Sequence, residues 1–398
     1  MRFADRINNL GTETAFAVAA RAAEYASTGA VVYPFHLGDL NFKTPATVVE
    51  GANKAIRDGK TGYCPNGGIP ALRAALAEDA NSRRGTNYTA DNISVQPGGK
   101  PVIGKFLQVV MNPGDEVLCP SPGYPIYESQ IEYLGGKVAP YGFITDSTGF
   151  RINFDDIEKS ITPRTKVLIF NDIHNPTGAA CTEAERQRMA ELAIRHNLKV
   201  LLDEAYFEMR YDGTSKSLAS YAGMEDRSVL LYTFSKKFAM TGWRLGAAIG
   251  PKPIIDVISR LNVNDESCTN HFVQYAGLAG LTGDQTEPKQ IVQGLRERRD
   301  LAVSMLNATK GVTCFSPEAS FYLYPDVTEL MFAKGFGNDY AAFAEDVLVR
   351  TGVSFCTRVH FGKPFPSEPR RYIRLAFSGI GCETIKTGLS ELQRYAQS

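Results

Sequence analysis

The stretch "NISVQPGGKPVIGKFLQVVMNPGDEVLCP", residues 92–120, decides the fold. Ile93 to Val95 read as a strand, and Pro97-Gly98-Gly99 as a turn. Val102, Ile103, Phe106, Leu107 and Val110 then recur at helical spacing until Asn112-Pro113-Gly114 stops the helix. A second apolar run, "EVLCP" at 116–120, follows at once. Strand, crossover helix and strand together make the unit of a parallel sheet covered by helices.

The unit recurs downstream. "KVLIF" at 166–170, "KVLLD" at 199–203 and "SVLLYT" at 228–233 are further buried-strand candidates. Between the first two lies "TEAERQRMAELAIRHN", where Thr182 and Glu185 form a capping-box start and Met189, Leu192 and Ala193 share one face. The pattern predicts an α/β domain with a mostly parallel sheet over residues 46–284. From Glu287 a long charged helix leads into alternating strands in "SFYLYPDVT" and "YIRLAFS", so residues 285–398 read as a smaller α+β domain. Residues 1–45 are expected to form an N-terminal arm packed on that smaller domain.

Composition narrows the function classes. The chain has 398 residues, 43% of them hydrophobic, and 43 basic against 43 acidic side chains. That balance gives no basic field to attract nucleic acid or an anionic membrane, and neither is expected as a partner. Cysteines at 64, 119, 181, 268, 314, 356 and 382 form no C-x-x-C pair and have no His at ligand spacing, so no metal site is expected. No run approaches the ~20 apolar residues of a membrane span, and the N-terminal stretch lacks the pattern of a signal peptide. A cytoplasmic protein is the expectation.

In open α/β sheets ligands bind beyond the carboxyl ends of the strands. Four such ends carry chemistry. Gly98-Gly99-Lys100 opens a helix, where free N–H groups suit a phosphate or merely make a tight turn. Asn175-Pro176, in "NDIHNPTG", offers a cis bond or rigid turn and an amide at the sheet edge. Asp203 ends a buried strand, either as a helix cap or as partner of a cation, with Tyr206 three residues on. Ser235, Lys236 and Arg244 follow the last strand, and a desolvated lysine beside another cation has a lowered pKa and can attack a carbonyl. Together they supply a phosphate cradle, an amine, an acid for a pyridine nitrogen, and a phenol and amide for a ring hydroxyl. Those are the groups that pyridoxal phosphate needs.

With these residues in place the sequence resembles the fold-type I, class I/II pyridoxal-phosphate aminotransferases, of the aspartate aminotransferase-like kind, over nearly its whole length. "SKKFAMTGWRLG" is similar to the family's lysine motif, which implies Lys236 as the Schiff-base lysine and Arg244 as a phosphate ligand. Thr233, Ser235 and the "PGGK" turn, with Gly98, Gly99 and Lys100, fall where relatives contact that phosphate. "DEAY" implies Asp203 on the pyridine nitrogen and Tyr206 on the ring hydroxyl, joined there by Asn175 of "HNPTG". Tyr124 of "SPGYPIY" is implied to stack on the ring. Tyr63, in "KTGYCPNGGIPALRAAL", is implied to reach the phosphate of a neighbouring subunit, hence a homodimer with shared active sites. Arg374 of "YIRLAFS" is implied to grip the substrate α-carboxylate, with Gly38 in the arm that closes over it. The resemblance further implies a seven-stranded sheet, a cofactor of pyridoxal 5′-phosphate, and amino acid and 2-oxo acid substrates.

The chain departs from the family in three places. It has "GDLNF" at 38–42, Ile173 where a proline is common, and "SFCTRVHFG" at 354–362, which puts Cys356, Thr357, Arg358 and His360 near the substrate. The resemblance implies ping-pong transfer of an amino group from an L-amino acid to a 2-oxo acid, and leans to aspartate or glutamate because some aspartate-using relatives bind the side-chain carboxylate with a lysine at the position of Lys100, which otherwise only adds charge near the phosphate. These departures leave open a specialised elimination, cyclisation or oxidation on the same cofactor. A non-catalytic binding or regulatory protein that keeps the fold is the reading from another class. No G-x-G-x-x-G follows a strand, which argues against a nicotinamide-dependent dehydrogenase.

Overall fold

The computed structural model describes residues 2–398. Its central sheet has seven strands: β1 (Ile93–Gln96), β2 (Glu116–Pro120), β3 (Lys137–Tyr141), β4 (Thr165–Phe170), β5 (Lys199–Asp203), β6 (Ser228–Thr233) and β7 (Gly246–Ile249). They lie in the order β1-β7-β6-β5-β4-β2-β3. β7 runs antiparallel to both its neighbours, and the other pairs are parallel. The five strands expected from the sequence all form. β3 and β7 escaped that reading because "KVAPY" opens on a lysine and contains a proline, and "GAAI" is built mostly of small residues, so neither gives an apolar run of ordinary strand composition.

Adjacent residues along each strand enter opposite layers. Val117, Val167, Ile169, Leu201 and Val229 pack beneath the sheet with Val102, Ile103, Phe106 and Leu107 of the helix Lys100–Val110. Leu118, Leu168, Val200, Leu202 and Leu230 face the other way, onto Met189, Leu192 and Ala193 of the helix Glu183–Arg195. Both faces are therefore dry, as a parallel sheet requires. Each such side chain contributes about 1.5–3 kcal/mol through burial.

A second core joins Ile291, Leu295 and Leu306 of the helix Thr286–Asn307 to Leu389 and Leu392 of the helix Cys382–Gln397. A three-stranded antiparallel sheet of Tyr322–Leu323, Ile373–Ala376 and Cys356–Thr357 closes it. The arm does join this core: Phe35 is buried in it, Tyr33 pairs with Val353, and Arg21 binds Glu345. The arm does not stop there. Its first turn, Asp5–Asn9, packs on the helix Ile126–Tyr133, and Glu13 reaches Lys100, so the arm also lies on the sheet-bearing unit. No described helix is long and apolar enough to cross a membrane.

The helix Glu183–Arg195 starts at the expected capping box, with Thr182 Oγ1 accepting from Glu185 N at 3.2 Å and Glu185 Oε2 accepting from Thr182 N at 2.7 Å. Thr182→Ala is expected to cost about 1 kcal/mol, read as a lower denaturant midpoint with enzyme activity unchanged.

Candidate active site

The carboxyl ends of β1, β4, β5 and β6 open into one cavity of about 520 Å³. The arm and the Arg374 strand close it from the other side. Gly99, Lys100, Tyr124, Asn175, Asp203, Tyr206, Thr233, Ser235, Lys236, Arg244, Gly38 and Arg374 all line it. Gly98 stands just behind, with φ of 105° and no room for a side chain, since a Cβ there would lie 2.3 Å from an Arg244 Nη.

One wall collects phosphate-binding groups. Gly99 and Lys100 begin the helix Lys100–Val110, whose first-turn amides have no intrahelical acceptor. Thr233 and Ser235 place their hydroxyls 3.0 Å apart. Arg244, in the left-handed region with φ of 58°, is anchored by one Nη on the Thr241 carbonyl at 2.7 Å and keeps its other donors for the cavity. This wall fits a dianionic phosphate.

Lys236 lies between that wall and Arg374, its Nζ donating to the Gly38 carbonyl at 2.9 Å. Burial, more than any neighbouring charge, lowers its pKa to about 8. The adjacent Lys237 turns away into the protein, 3.9 Å from Asp79, which separates the roles of the two consecutive lysines.

Asp203 sits at the floor, where burial pushes its carboxyl up against the opposing effects of hydrogen bonds from Tyr127 Oη and Ala205 N. Among the described residues its partners are Tyr127 and the Ala205 amide, which leaves a buried carboxylate suited to a partner that brings a proton, such as a protonated pyridine nitrogen. Asn171 Nδ2 fixes the Asp203 carbonyl at 2.8 Å, and its oxygen accepts from Asn175 N at 2.9 Å. The Asn175-Pro176 bond is cis. Tyr206 Oη lies 2.8 Å from Tyr322 Oη, and burial holds its phenol well above the usual range, so it remains a donor.

Arg374 is buried among Tyr322 and Phe361, whose rings lie 4.4 and 4.7 Å from its guanidinium carbon. Its Nη atoms donate to Asn175 Oδ1 at 3.1 Å and the His36 carbonyl at 2.8 Å. Among the described residues nothing accepts from its buried Nε. An orphaned guanidinium donor inside a cavity is a ready carboxylate site. Lys236, Asp203, the phosphate wall and this arginine together fit pyridoxal phosphate and an amino acid.

Known proteins share the sequence pattern and the fold. Residues 32–391 match the family model of aminotransferase class I and II. The chain belongs to that family. An aspartate/prephenate aminotransferase of Cereibacter sphaeroides is 33% identical, with 98% of each chain covered. Among solved structures, a mutant of Thermus thermophilus aspartate aminotransferase superposes with a TM-score of 0.90 at 30% identity, covering 99% of this chain and 100% of that one. The alanine aminotransferase of Pyrococcus furiosus gives 0.91 at 28% identity over the full length of both. The protein is thus an enzyme, an aminotransferase of fold type I.

Several features of this aminotransferase differ from the sequence expectation. Lys100 does not hold a free ammonium towards the cavity, for Glu13 Oε2 accepts from it at 2.7 Å and from Tyr124 Oη at 3.0 Å. Tyr63, by contrast, is 88% exposed and lines no part of its own chain's cavity, as a residue directed at a neighbouring subunit would be. Cys356 is buried against Arg374, where burial raises its thiol, and it lines no part of the cavity. Arg358 is buried in an ion pair with Glu368 at 2.6 Å, and Ile173 belongs to the second core. The loop departures are therefore packing features, while Asp39 does face the cavity and binds Thr241 Oγ1 at 2.8 Å. Sequence reasoning missed Glu13, Tyr127, Asn171 and Tyr322. Asn171 and Tyr127 sat inside quoted motifs, and Tyr322 in a quoted strand, but Glu13 had no local signal.

The low pKa of Lys236 has a direct readout. Labelling of Lys236 by pyridoxal phosphate with reductive trapping, located by peptide mapping, is expected to rise through about pH 8, because only the unprotonated amine reacts.

Proposed function

We propose that this aminotransferase holds pyridoxal 5′-phosphate and moves an amino group from an L-amino acid, aspartate or glutamate foremost, to a 2-oxo acid. The observation that carries the reading is the convergence on one cavity of a lysine at about pKa 8, a buried Asp203 carboxylate and an arginine with an unpaired Nε. When bound, the cofactor supplies an aldehyde carbon and an electron sink for charge developing at the substrate α-carbon.

The chain's own residues do the rest. Gly98, Gly99, Thr233, Ser235 and Arg244 would hold the phosphate, and Tyr124 would cover the ring. Asp203, steadied by Tyr127, would keep a proton on the ring nitrogen, and Tyr206 and Asn175 would donate to the ring oxygen. Arg374 binds the α-carboxylate and presents the α-carbon to Lys236. The Lys236 amine removes the α-proton as general base and returns a proton as general acid, and a pKa near 8 suits both tasks near neutrality. Gly38 and the arm cover the substrate.

Support for a dicarboxylic donor comes from Lys100 on the outer wall and from relatives named for aspartate. The exposed Tyr63 supports a homodimer in which it reaches the neighbouring subunit's phosphate. A core drawn from residues 48–276 and another drawn mostly from residues 291–396 with Phe35, which Ile173, Tyr206 and Met209 also join, support a cofactor-holding domain at 46–284 and a small domain at 285–398 completed by residues 1–45. Seven free cysteines suit a reducing, cytoplasmic setting.

A single-turnover experiment tests the reaction. Holoenzyme mixed with aspartate and no acceptor is expected to release one equivalent of 2-oxo acid per site and stop. Continued turnover would favour elimination, cyclisation or oxidation instead. Lys236→Ala is expected to slow the step by about 10²–10⁴-fold or more, as loss of a positioned acid–base group does, and a near-native rate would remove Lys236 from the mechanism.

A further inference from the structure

Four basic side chains line the cavity: Lys100, Lys236, Arg244 and Arg374. Among the described residues, the last three have no carboxylate in ion-pair contact, and each is placed for an anion or an aldehyde. Lys100 differs. Its ammonium is taken by Glu13, from the irregular stretch between the turn Asp5–Asn9 and the helix Ala15–Ser27 of the arm. The same Glu13 oxygen accepts from Tyr124 Oη, so one carboxylate oxygen collects two donors inside the cavity.

That arrangement is what the distal carboxylate of a dicarboxylic amino acid would meet if Glu13 withdrew. With Glu13 in place, Lys100 is neutralised and the outer end of the cavity carries no net charge for a side chain. The pair is also partly wet, with the Lys100 side chain 43% and the Glu13 side chain 23% exposed. Exposed pairs contribute little net stability, so one carboxylate can replace another at small cost. Asp39, the other acid on the arm side, is engaged by Thr241 and does not compete for Lys100.

We propose that Glu13 is an exchangeable internal stand-in for a substrate carboxylate and sets the enzyme's preference between dicarboxylic and uncharged amino acids. Held on Lys100, Glu13 leaves a neutral pocket for small or uncharged side chains. Displaced, it frees Lys100 and Tyr124 Oη for the distal carboxylate of aspartate or glutamate. This inference rests on the aminotransferase reading and assigns its side-chain subsite.

The test compares half-reactions of holoenzyme with aspartate and with alanine in the wild type, Glu13→Gln, Lys100→Met and the double variant. Removing a like charge from the subsite is expected to raise kcat/KM for aspartate by about tenfold or more in Glu13→Gln, with alanine changed by about twofold at most. Lys100→Met should lower the aspartate value far more than the alanine value, and most of the gain from Glu13→Gln should be lost in the double variant. Succinate, a dicarboxylate that cannot react, should bind the Glu13→Gln holoenzyme more tightly by calorimetry. An aspartate-to-alanine ratio that stays constant or falls in Glu13→Gln, with unchanged succinate binding, overturns the inference while leaving the aminotransferase reading intact. A wild type that converts neither amino acid overturns the dicarboxylic donor and the inference with it, and leaves membership of the family standing.

Discussion

The site depends on the close approach of two backbones. A Cβ at Gly246 would lie 2.6 Å from the carbonyl carbon of Gly98, and one at Gly98 would strike the Arg244 guanidinium. β7 makes this contact possible by running antiparallel between β1 and β6, with Gly246 opposite both Gln96 and Thr233. The turn after one strand and the lysine loop after another thereby become one continuous wall. Its shape is set by main chain and does not wait on side-chain rotamers. Arg244 is held in a left-handed conformation that costs an L-residue roughly 1–2 kcal/mol, and the packing around it maintains that conformation.

Around this wall, burial pushes the key titratable groups towards their neutral forms. It lowers the Lys236 ammonium and raises the Asp203 carboxyl. The consequence is chemical in both cases. A lysine that gives up its proton easily is a nucleophile and a base, and a carboxylate that wants a proton partner is a site for a protonated ring nitrogen. Tyr127 and Asn171, which touch no expected ligand atom from the sequence motifs, hold the Asp203 side chain and backbone in position.

The arm connects these parts to the second core. Tyr33 and Phe35 tie it to the strand Val353–Ser354, and Glu13 ties it to the mouth of the cavity. Between them, Gly38 passes so close to Tyr322 that a Cβ would lie 2.2 Å from its hydroxyl. A single segment therefore touches the nucleophilic lysine, the outer cation and the small-domain sheet.

The sequence by itself determined the five long strands, the capped helix at Thr182 and the strand-end residues that meet in one cavity. Those signals are local: an apolar run marks a dry strand, and the residue after it necessarily stands at the sheet's carboxyl edge. Lys236, Asp203 and Asn175 could be read in this way because each ends its strand or follows it within a few residues. Tertiary structure alone decided what comes from elsewhere in the chain. β7 carries too little apolar bulk to announce itself, yet its position between β1 and β6 aligns the phosphate wall. Glu13 lies 87 residues from Lys100 in an arm that looked like part of the small domain. No periodicity or spacing relates two charges so far apart, since their meeting depends on how the arm folds back across the cavity, and that is fixed by packing against both cores.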